Sequence, residues 1–158
     1  MKLWTALTFV HVLSGLGLAI LPIAATAQSA SRPTIELAWA RATPPGVDVG
    51  AVYLTIRNLG ARADQLVALH SAASERAEIH ETKTTDGIMR MRQITAATVP
   101  AGGVLALAPG GLHVMLIGLR SPLLPGATVP LVLTFRHAGE VATKAVVQAP
   151  GSEPTSGH

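Results

Sequence analysis

The chain contains no cysteine. That absence excludes a disulfide framework, a thiolate metal site and a cysteine nucleophile. It also predicts that no lipid is carried on a cysteine, and so no stable membrane anchor. Charge is scarce as well: only 13% of the 158 residues are charged, about half the usual share of a soluble domain. Twelve Lys and Arg against nine Asp and Glu leave a net charge of +3. The basic residues are scattered singly, so no nucleic acid partner is expected. Aromatics are few (Trp4, Phe9, Trp39, Tyr53 and Phe135), too few for a base-stacking platform. No HExxH sequence, glycine-rich phosphate loop or nucleophile elbow occurs. Glu75, Glu78 and Glu81 form the only carboxylate cluster, and it reads as a solvated strand face. An enzyme is therefore not expected.

Residues 1–27 carry a single charge, Lys2, followed by an apolar run ending at Ala25-Thr26-Ala27. This is the pattern of a secretory signal peptide. The run is also long enough to span a membrane, but Pro22 and the small residues at its end favour cleavage. The expected organisation is a signal peptide over 1–27, one domain over 28–150 and a flexible tail over 151–158, in a protein exported to the periplasm.

The exported part reads as short strands. Candidates are 35–41, 50–57, 64–70, 76–83, 88–94, 104–107, 112–119, 128–136 and 140–148, rich in β-branched and aliphatic residues. Turn signals separate them at intervals of about eight to twelve residues. Asp86-Gly87 is the strongest, a dipeptide suited to a two-residue hairpin. No segment keeps a helical period for three turns. The pattern predicts an all-β antiparallel sandwich or barrel without deciding between them.

The methionines and histidines then stand out. If Thr85 pairs with Ile88 across the Asp86-Gly87 turn, Thr82 faces Met91, and His80 becomes the diagonal neighbour of Met91 on one face. His113 and Met115 are two residues apart on a strand and share a face. A methionine on a strand is commonly core filler, and a lone histidine is commonly a satisfied polar group. Together, however, two imidazoles and two thioethers form a soft, neutral donor set that selects Cu(I) over harder ions. Met89 shares the face of Met91 and is expected to pack against the hairpin. Glu81, Arg90 and Arg92 are expected on the opposite face. A blue-copper centre is excluded, because it requires a cysteine ligand.

Ten residues separate His80 from Met91, twenty-one separate Met91 from His113, and one separates His113 from Met115. In this spacing the chain resembles the periplasmic copper chaperone family called PCu(A)C. The surrounding segments are similar too: Ala38-Trp39-Ala40-Arg41, Glu78-Ile79-His80-Glu81, Gly110 to Leu119, and Leu131 to Phe135. The resemblance covers roughly residues 34–148. It implies a cupredoxin-like, Greek-key β-sandwich binding one Cu(I) per chain through His80, Met91, His113 and Met115. It also implies delivery of copper towards the copper centre of a terminal cytochrome oxidase, with a Sco-type protein or the oxidase copper-site domain as recipient. Copper storage or resistance without a dedicated recipient is the alternative role. Family members with a methionine directly after the first motif histidine differ from this chain, which has Glu81 there. The tail has one histidine and no methionine, so a second copper site is not expected.

Overall fold

The computed structural model describes residues 32–152. The signal-peptide expectation for 1–27 lies outside the described residues, as does all of the expected tail except Gly151 and Ser152. Ten strands follow one another: β1 (Thr34–Arg41), β2 (Val49–Arg57), β3 (Asp64–His70), β4 (Ser74–Thr85), β5 (Ile88–Ile94), β6 (Ala97–Val99), β7 (Val104–Leu107), β8 (Leu112–Leu119), β9 (Thr128–Phe135) and β10 (Gly139–Gln148). The nine strands expected from sequence are all present. The tenth, β6, has three residues between Ile94 and Pro100, too short to show a period. It exists because it pairs with β3 through Asp64, Gln65 and Leu66.

The strand order is β5-β4-β8-β2-β1-β10-β9-β3-β6, with a further pairing of β3 with β4. That pairing, at Leu69 and Ala77, closes a seven-stranded barrel from β4, β8, β2, β1, β10, β9 and β3. The extra strands β5, β6 and β7 attach to β4, β3 and β2. β1 and β10 run parallel and the chain crosses over between β8 and β9, which makes the topology a Greek key. The fold is thus all-β and cupredoxin-like, with closure removing edges that an open sheet would leave unpaired.

The interior follows from the two-residue period of the strands. Val52, Leu54 and Ile56 of β2, Val114 and Leu116 of β8, Leu131, Leu133 and Phe135 of β9, and Val147 of β10 are all buried in one core. β8 has only one polar side chain among its eight residues, because its second face is covered as well. On that face His113 is 6% exposed. The β4–β5 hairpin turns at Asp86 and Gly87, with φ of 53° and 75°, as the Asp-Gly dipeptide predicts for a turn of this kind.

Asp64 fastens the barrel at the start of β3. Its carboxylate accepts the backbone N–H groups of Gln65 (2.7 Å), His137 (3.0 Å) and Ala138 (2.9 Å), tying β3 to the β9–β10 turn. Burial pushes this carboxyl up, but the three N–H donors outweigh it and hold it below its ordinary value. A lowered carboxyl stabilises the fold above the unfolded-state pKa, and that contribution is lost as pH falls through the folded-state value. We expect Asp64→Ala to cost about 1–3 kcal/mol in urea unfolding at neutral pH. The difference from wild type should shrink once pH drops below about 3.8. A gap that stays constant down to pH 3 would contradict this account.

Candidate metal centre

Strand pairing brings the candidate donors together. β4 and β8 are antiparallel with His80 directly opposite His113, and the two imidazole ring centroids lie 6.0 Å apart. Met115 follows two residues along β8, between Glu78 on β4 and Ala51 on β2. Across the hairpin Met91 faces Thr82, which places it diagonal to His80, as the turn geometry predicts. A pocket of about 390 Å³ is lined by His113, Met91, Met115, Met89 and Tyr53, among others. Three of the four predicted donors therefore surround one cavity. His80 does not line it and stands beside it, next to His113. Met91 and Met89 are 52% and 69% exposed, so the thioethers of β5 form the outer rim and His113 the floor.

Hydrogen bonding determines which ring nitrogens are available. His113 Nδ1 lies 3.1 Å from the Gly111 carbonyl. A carbonyl only accepts, so Nδ1 carries the proton and Nε2 keeps its lone pair. The same carbonyl accepts the N–H of Thr82, which links the loop before β8 to β4. The turn leading into it uses Gly110 at φ +79°, a conformation open to glycine at little cost. His80 is arranged the other way. Its Nε2 lies 3.0 Å from Glu78 Oε2, while its Nδ1 is buried without a hydrogen-bond partner. The His80 hydrogen bond holds the Glu78 carboxyl below its ordinary value. Burial opposes this and Arg76 reinforces it. Glu78 is thus an ionised, acceptor-only group, and it directs the His80 N–H towards itself.

A buried lone pair without a donor is costly unless something occupies it. A metal ion would satisfy it, and the residues present fit a soft one. Among the described residues there is no group of three or more His, Cys, Asp or Glu that could hold a metal, so a hard-ion cage is not built here. The soft alternative needs the methionines. All four donors are neutral, and a cation of low charge is the least costly to desolvate among them. Tyr53 backs His113 at 6.4 Å between ring centroids and packs against Trp39 at 4.5 Å with the rings tilted by 37°. The Arg41 guanidinium lies 5.8 Å from the Tyr53 ring centroid.

Other expectations resolve as follows. Glu81 lies on the opposite face of β4 and pairs with Arg92 (2.7 Å) and Lys83 (3.1 Å). Glu78 is not part of a solvated carboxylate face: its side chain is largely covered and bonded to His80. Its position two residues before His80 in a strand was the signal, since that spacing puts both on one face. Met89 does not pack away against the hairpin but stands exposed at the pocket rim.

Comparison with known proteins agrees with this architecture. The family described as putative lipoprotein LpqE-like matches residues 34–147. A putative lipoprotein of Leifsonia xyli subsp. xyli is 32% identical over 139 residues, covering 85% of this chain and 82% of that protein. Among solved structures, the copper-bound PCuAC domain from PmoF2 is 28% identical with a TM-score of 0.65, over 77% of this chain and 97% of that one. The Cu(I) form of DR1885 from Deinococcus radiodurans is 30% identical with a TM-score of 0.60, over 78% of this chain and 83% of that one.

The lipoprotein matches correct one expectation. The absence of cysteine predicts no stable membrane anchor, whereas membership of a lipoprotein family implies lipid anchorage and a periplasm-facing, membrane-associated location. A missing thiol speaks only to a lipid carried on a cysteine of these 158 residues. From residue 34 to residue 147, nearly the whole described structure, the chain belongs to the LpqE-like family of putative lipoproteins and is built on a PCuAC-type cupredoxin-like domain.

Proposed function

We propose that this protein is a copper carrier that holds one Cu(I) with His80, Met91, His113 and Met115 and delivers it towards the copper centre of a terminal cytochrome oxidase. One observation carries the reading. Two adjacent imidazoles each have one nitrogen engaged by the protein and one left over, beside a pocket whose rim is methionine. The similarity to copper-bound and Cu(I)-bound PCuAC domains supports the choice of metal.

Copper is cargo here. Thioethers bind Cu(I) without losing a proton and are not consumed by the oxidising conditions that would pair thiolates. Their exposure at the rim offers a recipient a route for stepwise ligand exchange, while His113 at the floor holds the ion until the last bond is broken. The barrel supplies rigidity, since the donors sit on paired strands and not on loops.

Anaerobic competition against a chromophoric Cu(I) chelator tests the site. Wild type should bind one equivalent tightly. Met91→Leu and Met115→Leu conserve volume, so the fold should be retained; each should weaken binding at least about tenfold through loss of a soft donor. His113→Ala should weaken it further. Binding unchanged in all three variants would contradict the four-donor site. Delivery is tested separately by mixing the Cu(I)-loaded protein with an apo oxidase copper-site domain. Transfer faster than spontaneous release into buffer supports a delivery role, and equal rates contradict it.

A further inference from the structure

We propose that Glu78 is a positioning residue that turns His80 so that Nδ1 faces the copper, with the result that the two imidazoles present opposite nitrogens to the metal. The inference rests on the copper-carrier reading and extends it to a residue outside the four donors. It starts from an asymmetry. His113 gives its Nδ1–H to the Gly111 carbonyl at 3.1 Å, which leaves Nε2 for the ion. His80 gives its Nε2–H to Glu78 Oε2 at 3.0 Å, and its Nδ1 is buried and unpartnered. In a neutral imidazole only one nitrogen can bind a metal, and the hydrogen bond at the other decides which.

Glu78 is well placed for this. It is two residues before His80 on β4, so their side chains leave the same face of the strand. Its cross-strand partner on β8 is Met115, so it lies beside a second donor without displacing it. Its other oxygen, Oε1, accepts from Arg76 Nε at 3.3 Å, which holds the carboxylate at both ends. A carboxylate oxygen accepts, so its contact with His80 Nε2 draws the ring proton there and leaves Nδ1 as the nitrogen with a lone pair. The carboxylate also makes the ring more electron-rich, strengthening the bond from Nδ1 to a cation.

The test is nitrogen-15 NMR of the histidine rings in the metal-free protein, repeated after Cu(I) loading. In the metal-free wild type, His80 should be the Nε2–H tautomer and His113 the Nδ1–H tautomer. On loading, the large nitrogen shifts should fall on His80 Nδ1 and His113 Nε2. Glu78→Ala should leave His80 sampling both tautomers and lower Cu(I) affinity about 10–100-fold. Glu78→Gln keeps an oxygen acceptor and should restore the tautomer and most of the affinity. Unchanged circular dichroism in both variants separates positioning from a folding defect. Tight Cu(I) binding with His80 in the Nδ1–H tautomer, or a Glu78→Ala protein with the wild-type tautomer and affinity, would overturn this proposal alone. The stated tautomers in a wild-type protein that binds no Cu(I) would overturn the carrier reading, and the role of Glu78 towards copper with it.

Discussion

Everything at the candidate site depends on the register between β4 and β8. With His80 opposite His113, the rings are neighbours, Met115 lies beside Glu78, and the β4–β5 hairpin carries Met91 onto the same face. A slip of one residue would put the imidazoles on opposite faces of the sheet. The register is held from the other side. Ile79 and Val114 are paired one step along, both buried in the barrel core, and a slip would expose them. Hydrophobic burial thus sets the geometry of a polar site.

The barrel uses β8 twice. One face, Val114 and Leu116, fills the core. The other presents His113 and Met115 to the pocket. A strand covered on both faces loses the usual alternation of polar and apolar residues, and β8 reads accordingly. The side chains around the pocket are also graded in exposure, from buried His113 to the thioethers of Met91 and Met89 at the rim. A buried histidine gives retention and an exposed thioether gives access, which is the combination that a carrier of a soft ion requires.

Much of this was legible without coordinates. The strands and the Asp86-Gly87 turn follow from β-propensity and turn chemistry, and the pairing of Thr82 with Met91 follows from the turn by counting. His80 and Met91 could be put on one face because they belong to one hairpin. The link to His113 could not be derived by counting, because β4 and β8 are separated by three strands in the chain. Glu78 was misread for a related reason. Its neighbours in sequence suggested a solvated face, whereas its environment comes from β8 and from the His80 ring.

The amino-acid sequence by itself determined what is local or compositional: an all-β chain, no thiolate chemistry, two histidines and two methionines at a specific spacing, and the geometry within one hairpin. Strand period, turn preference and ligand softness are properties of residues and their near neighbours. The tertiary structure decided what depends on non-local pairing. It closed the barrel through a single β3–β4 pairing, added β6, set His80 against His113, and chose which nitrogen of each ring stays free. Those outcomes turn on which strands burial and hydrogen bonding bring side by side, and no local pattern encodes that.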